Sequence, residues 1–277
     1  MIGADPSTVS ESRGERPVPR PPPALILLGA AAAAFFVVPL TALLIRAPWS
    51  DLPSLLGDPA VIAALRLSAI TTTSATVLSL VFGVPLAWLL ARAEFRGKSL
   101  VRAFVLLPMV LPPVVGGMAL LLALGRRGLV GQWLDSLLGV TLPFTTTAAV
   151  IATTFVAMPF LVITVEAAFR NLDSRMEDAA VTLGAGTGTV FWRITLPLAA
   201  PSIAAGACLS AARALGEFGA TITFAGSVEG RTQTLPLAVL AALESNDPDA
   251  AIAMSLVMMA LSMIILIALR RYWLALR

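Results

Sequence analysis

Histidine is absent from this 277-residue sequence and cysteine occurs once, at Cys208. Imidazole acid–base catalysis, an intrachain disulfide and a zinc site of the usual Cys/His kind are therefore excluded. Charge is scarce as well. Asp, Glu, Lys and Arg make up 13% of the chain while hydrophobic residues reach 58%, against about 25% charged residues in soluble domains. The apolar residues gather into long runs, so lipid is the natural solvent for most of the chain, which argues against a water-soluble enzyme. A net charge of +3 could suit a nucleic-acid binder, but the arginines stand at the ends of apolar runs, where they report membrane topology instead.

Residues 1–23 are polar, basic and Pro-rich, ending in Pro21-Pro22-Pro23, and read as a disordered cytoplasmic tail. The apolar run 24–45 follows Arg13, Arg16 and Arg20 as a signal peptide's core does, yet it is long enough to span and no small-residue cleavage site follows. It reads as a retained first helix. Five further spans are predicted at about 66–91, 100–124, 145–169, 201–226 and 249–270. The expected fold is an all-α integral membrane protein of about six transmembrane helices, with 24–277 as the membrane domain.

Six spans put both termini on one side. With the N-terminus inside, the cytoplasmic segments hold Arg13, Arg16, Arg20, Arg92, Arg96, Lys98, Arg102, Arg170, Arg175, Arg193, Arg270, Arg271 and Arg277. The outer segments hold only Arg46, Arg66, Arg126, Arg127 and Arg231. This bias predicts cytoplasmic N- and C-termini, with the Arg126-Arg127 pair as the local dissent.

Within the third span, Leu107-Pro108-Met109-Val110-Leu111-Pro112-Pro113-Val114-Val115-Gly116-Gly117 loses amide donors at three prolines. Broken backbone at membrane depth is tolerated only against protein or a water-filled cavity. Pro112, Pro113 and Gly116 thus mark either a pathway-lining element or a kinked packing helix. In the second span, Thr71, Thr72, Thr73, Ser74 and Thr76 are expected to bond back to their own helix or to pack against a neighbour.

The segment of about 170–200 is too polar for lipid. It runs Met176-Glu177-Asp178-Ala179-Ala180-Val181-Thr182-Leu183-Gly184 and closes with Arg193-Ile194-Thr195-Leu196-Pro197. Acids in a first turn, a Gly-punctuated bend and a second amphipathic stretch ending at Pro make a unit suited to a partner's groove. Gly97-Lys98-Ser99 ends like a phosphate-binding loop, but the earlier Gly of such a loop falls at Arg92, so it reads as a turn.

This segment resembles the cytoplasmic coupling loop of ABC importer permeases, whose pattern is Glu-Ala-Ala, three residues, Gly, nine residues, Ile, one residue, Leu-Pro. Asp178-Ala179-Ala180, Gly184, Ile194 and Leu196-Pro197 keep that spacing, with Asp178 in place of Glu and Glu177 before it. The resemblance implies the type-1 permease architecture over about 61–270. It also implies ATP use by a separate ATPase subunit on the cytoplasmic side, and no cofactor, metal or catalytic residue on this chain.

Arg213 and Glu217 fall inside the fifth span, four residues apart, so they are expected to share a helix face and to neutralise each other near the middle of the membrane. A charge at membrane depth costs about 2.5–3.5 kcal/mol on insertion scales, which makes it a functional suspect. An internal ion pair that only fixes packing is the competing reading. The outer stretch Gly226-Ser227-Val228-Glu229-Gly230-Arg231-Thr232-Gln233-Thr234-Leu235-Pro236 reads as an ordinary turn.

Together with Leu107-Pro108 to Pro112-Pro113, the stretches Ala212 to Thr221 and Gly230 to Pro236 resemble the molybdate permeases, close to those for sulfate and tungstate. That resemblance implies a homodimer in a bacterial inner membrane, importing molybdate delivered by an extracytoplasmic oxyanion-binding protein, with sulfate or tungstate as the alternative cargo. A gradient-driven transporter or channel could also explain Arg213 and Glu217, but leaves the coupling-loop pattern without a purpose. A membrane-embedded enzyme lacks the side chains for it.

Overall fold

The computed structural model describes residues 22–173 and 175–274, without the side chains of 271–274. Helices and connecting turns account for these residues, with no strand among them. The chain divides into two units after Arg46. The first contains α1 (Pro23–Ile45), with Pro22 as N-cap and Pro23 in the first turn, where a missing amide costs no helical hydrogen bond. Of the expected tail 1–23, all but Pro22 and Pro23 lies outside the described residues.

The second unit runs through α2 (Leu52–Leu56), α3 (Pro59–Leu78), a π-helical turn at Ser79–Gly83, α4 (Val84–Arg92), α5 (Lys98–Val110), α6 (Pro113–Leu124) and α7 (Gly131–Leu138). It continues with α8 (Thr146–Asn171), α9 (Arg175–Thr182), α10 (Thr187–Val190), a second π-helical turn at Phe191–Thr195, α11 (Leu196–Leu215), α12 (Gly219–Phe224), α13 (Leu235–Glu244) and α14 (Pro248–Leu274). Side chains start three of the long helices, with Asp247 Oδ1 accepting the Ala250 amide at 3.0 Å ahead of α14. Asp58 Oδ1 accepts the Ala60 amide at 2.7 Å ahead of α3, and Thr145 Oγ1 accepts the Ala148 amide at 3.2 Å ahead of α8.

Among the described residues, five helical stretches are long and apolar enough to cross a membrane: Pro23–Ile45, Pro59–Arg92, Thr146–Asn171, Thr187–Leu215 and Pro248–Arg270. The expected third span is present but divided into α5 and α6. Leu111 is extended at ψ 139°, and Pro112 and Pro113 in succession deny the donors that would carry the helix through. The expected fifth span is also divided, because α11 stops at Leu215 and α12 begins only at Gly219.

Helix α8 is central, with buried residues spaced along it from Ala148 to Phe169. A helix buried on most sides is apolar all round, and small residues let its neighbours approach. Near one end, Leu161, Val162, Val165 and Phe169 pack with Val84, Ala87 and Leu90 of α4 and Ala199 of α11. Toward the other, Ala148, Ala149, Ala152 and Val156 pack with Ala220 and Phe224 of α12. A third cluster joins Val61 and Ala64 of α3 to Leu235, Ala238 and Met254.

Two of the five hydroxyls expected to bond back in the second span do so, while the buried Thr72 Oγ1 has no hydrogen-bond partner among the described residues. Thr71 donates to the Leu67 and Ser68 carbonyls at 3.0 and 3.1 Å, and Thr76 to Thr72 at 2.8 Å. Two serines do more. Ser68 Oγ accepts the buried Leu235 amide at 2.7 Å, and Ser210 donates to Ser79 at 3.2 Å, fastening α11 to the first π-helical turn.

Candidate functional site: a loop beneath two broken helices

Helix α9 ends in a fully formed Schellman turn. The Ala185 amide bonds the Ala180 carbonyl at 2.9 Å and the Gly184 amide bonds the Val181 carbonyl at 2.9 Å. Gly184 sits at φ +86°, left-handed backbone that a side chain strains. The Ala-Ala, three residues, Gly spacing is therefore the spacing of a helix cap: Ala180 supplies the carbonyl and Gly184 the reversal.

The loop is then tied back to the long helices. Glu177 Oε1 accepts the Thr195 hydroxyl at 2.7 Å and an Arg92 Nη2 hydrogen at 3.3 Å, and the same guanidinium lies 3.2 Å from Oε2. Phe191 packs edge-on against Trp88 of α4, with ring centroids 5.6 Å apart. These residues line a cavity of about 220 Å³ that also includes Asp178 and Val181. The anchoring acid is thus Glu177, whereas Asp178, which occupies the acidic position of the expected pattern, is exposed. Ala179, Gly184 and Pro197 are exposed, and Ala180, Ile194 and Leu196 half-buried. Leu183 is 88% exposed and Trp192 67%, which leaves apolar side chains at the tip of the loop.

Gly97-Lys98-Ser99 is a turn, with Gly97 at φ +88° ahead of α5. Lys98 Nζ lies 2.9 Å from Glu94 Oε1 and holds that exposed carboxyl below the usual carboxylate range.

Arg213 and Glu217 do meet, with Arg213 Nη2 2.7 Å from Glu217 Oε2. They do not share a helix face. Glu217 follows the end of α11 and its Oε1 accepts the Ala220 amide at 2.7 Å, satisfying a free donor at the start of α12. The carboxylate, 2% exposed, thereby holds the break in the fifth span closed. The break in the third span lies against it. A Cβ added to Gly219 would stand 2.8 Å from Pro113 Cβ, and one added to Gly117 would stand 2.7 Å from the Ala220 carbonyl oxygen. Pro113 is thus brought to Gly219 at the start of α12, Pro112 caps α6, and Gly116 faces Phe155 of α8 instead.

Residues 83–275 match the family described as binding-protein-dependent transport system inner membrane component. The chain belongs to this family. It is 47% identical over 230 residues to the molybdenum transport system permease protein ModB of Mycobacterium tuberculosis, covering 83% of this chain and 86% of that one. It is 33% identical to the sulfate transport system permease protein CysT of Escherichia coli K12, covering 84% and 85%. In fold it is similar to a bacterial ABC transporter involved in the import of the acidic polysaccharide alginate, with a TM-score of 0.71, 20% identity and coverage of 90% and 93%.

The sequence reading of this transport component missed one buried ionic cluster. Glu166, on α8, is 5% exposed and accepts hydrogens from Nε and Nη2 of Arg102 on α5, the first at 2.9 Å. Arg102 also reaches the Leu90 carbonyl at 3.2 Å, and Arg170 approaches the same carboxylate at 3.9 Å. In the sequence, Arg102 and Arg170 read only as topology markers. A lone Glu at position 166, four residues before Arg170 and inside an apolar run, is the signal that could have found it.

Proposed function

We propose that this chain forms the membrane path of an ATP-driven importer of molybdate, as a homodimer served by separate ATPase subunits and an extracytoplasmic binding protein. The observation that carries the substrate is the difference between 47% identity to a molybdenum permease and 33% to a sulfate permease over similar coverage.

The loop of about 170–200 is the ATPase contact in this reading. Its capped helix presents Asp178, Ala179 and the exposed Leu183 outward, while Glu177, Thr195 and Phe191 fasten it to α4 and α11. Closure of the ATPases on ATP draws the two loops together and opens the outer side; hydrolysis restores the inward-facing state. The chain itself carries no hydrolytic step. The basic-residue bias supports a cytoplasmic N-terminal tail over 1–23 and a cytoplasmic C-terminus, and the likeness to a bacterial molybdenum permease supports residence in a bacterial inner membrane.

Arg213, Glu217, Pro112, Pro113 and Gly116 belong to the pathway region of the membrane domain 24–277. Paired with Glu217, Arg213 offers the anion a partly neutralised cation, which suits a path that must release its cargo. Uptake of labelled molybdate into vesicles holding the whole assembly tests the class of transport. Uptake is expected only with ATP and the ATPase subunits present; ion-gradient-driven uptake by this chain alone replaces the proposal with a secondary transporter.

A further inference from the structure

Resting on that functional reading, we infer that the Arg102–Glu166 ion pair is the joint through which movement of the coupling loop reaches the broken third span. Four observations converge on it. Within the chain, Pro108 alone is buried among the thirteen residues of α5, and Phe104 and Val110 are 65% and 84% exposed. Apolar packing within the chain holds α5 through Pro108 and the half-buried Val105, and the tie from Arg102 to buried Glu166 of α8 completes the setting of its position. The same guanidinium holds the Leu90 carbonyl in the last turn of α4. Two residues further on, Arg92 holds Glu177 of the coupling loop.

The last turn of α4 is thus shared between the loop and α5. At its other end α5 meets the extended Leu111, whose amide makes the last bond of the helix to Leu107 at 3.0 Å, and then Pro112 and Pro113, which have no amide hydrogens to carry the ladder across and resist bending. Beyond the joint, the close approach of Gly117 and Gly219 locks α6 to α12, which carries the Arg213–Glu217 latch at its start. A displacement of α9 is passed by Arg92 to α4 and by Arg102 to α5, which swings about Leu111 against a fixed α6 and α12 block. Arg102 and Glu166 are positioning residues in this scheme and touch no substrate.

The test uses the reconstituted permease with its ATPase subunits and binding protein. Arg102→Gln and Glu166→Gln are expected to keep basal ATP hydrolysis but to lower both its stimulation by the loaded binding protein and uptake by about tenfold per assembled complex, the size of a typical coupling effect. Arg102→Lys should restore part of both, and Arg126→Gln, in an exposed pair elsewhere, neither loses nor gains. Stimulation and uptake within about twofold of the parent in both Gln variants overturn the inference. Should those variants fail to assemble, spin labels on Phe104→Cys and Leu122→Cys, both exposed, in a Cys208→Ser background report the α5 to α6 distance across the Leu111 joint directly. A shift of about 2 Å or more between nucleotide-free and ATP-trapped complexes supports the joint, and an unchanged distance overturns it. Because the label measurement needs no oxyanion, a complex that moves but carries sulfate rejects only the substrate. One that carries molybdate with a static α5 rejects only the joint.

Discussion

Thr195 donates its hydroxyl hydrogen to Glu177 Oε1 at 2.7 Å, closing the coupling loop on itself across a separation of 18 residues. One end of that bond lies in the first turn of α9 and the other in the π-helical turn that leads into α11. The loop therefore moves as one body with the end of the long helix above it.

Glu177→Ala should loosen this body, because it leaves the buried Thr195 hydroxyl and the Arg92 guanidinium without their acceptor. A loss of about 1–3 kcal/mol in the thermal or denaturant stability of the solubilised permease is expected. Asp178→Ala should change that stability by less than about 0.5 kcal/mol, since Asp178 is exposed and its carboxylate has no hydrogen bond or ion pair among the described residues. Equal losses from the two variants would contradict the assignment of Glu177 as the anchor.

Gly184→Ala should cost about 1–2 kcal/mol through its left-handed backbone, although no atom stands within 4 Å of the added Cβ. Gly184→Trp adds bulk at the docking turn and should abolish co-purification with the ATPase while leaving membrane insertion intact. Normal ATP-coupled uptake by the Trp variant would remove this turn from the interface.

Arg213→Gln and Glu217→Gln should each destabilise the assembly by about 3 kcal/mol, because each leaves a charge unpaired at the break. Gln at 217 still offers an oxygen to the Ala220 amide, so the loss there reports the ion pair rather than the cap. The double variant should cost less than the sum of the two. Additive losses in the cycle would show that the charges act independently.

Gly117→Ala and Gly219→Ala should each cost about 1–3 kcal/mol, since the new methyl groups meet the Ala220 carbonyl and Pro113 at distances real side chains do not reach. Gly188→Ala, which faces open space, is the control and should stay within about 0.5 kcal/mol. Melting temperatures of the three variants in one detergent decide it.

Apolar run length made the helical membrane fold legible in the sequence, and in the loop of about 170–200 the spacing of small residues has its physical reason in the α9 cap. The breaks were only half legible. Consecutive prolines announced the division at Leu111-Pro112, but nothing as sharp announced the end of α11, because Gly216 and Phe218 both occur inside membrane helices. For that reason i, i+4 spacing suggested a shared face for Arg213 and Glu217, when the contact is made around a helix end. Choosing between Glu177 and Asp178 needed three dimensions, since both sit in the first turn of α9 and only the fold says which one looks toward Arg92. Glu166 was hidden by its setting among apolar residues, which one-dimensional charge counting treats as background.

The most direct test of the central claim is competition for uptake in the complete complex with its own binding protein, ATPase subunits and ATP. Initial rates of labelled molybdate uptake are measured against unlabelled molybdate, tungstate and sulfate. The account predicts that molybdate and tungstate compete at comparable concentrations, while sulfate requires a concentration higher by about a hundredfold, a difference of about 2.7 kcal/mol in affinity. Sulfate that competes as well as molybdate, or is itself the better cargo, would contradict it.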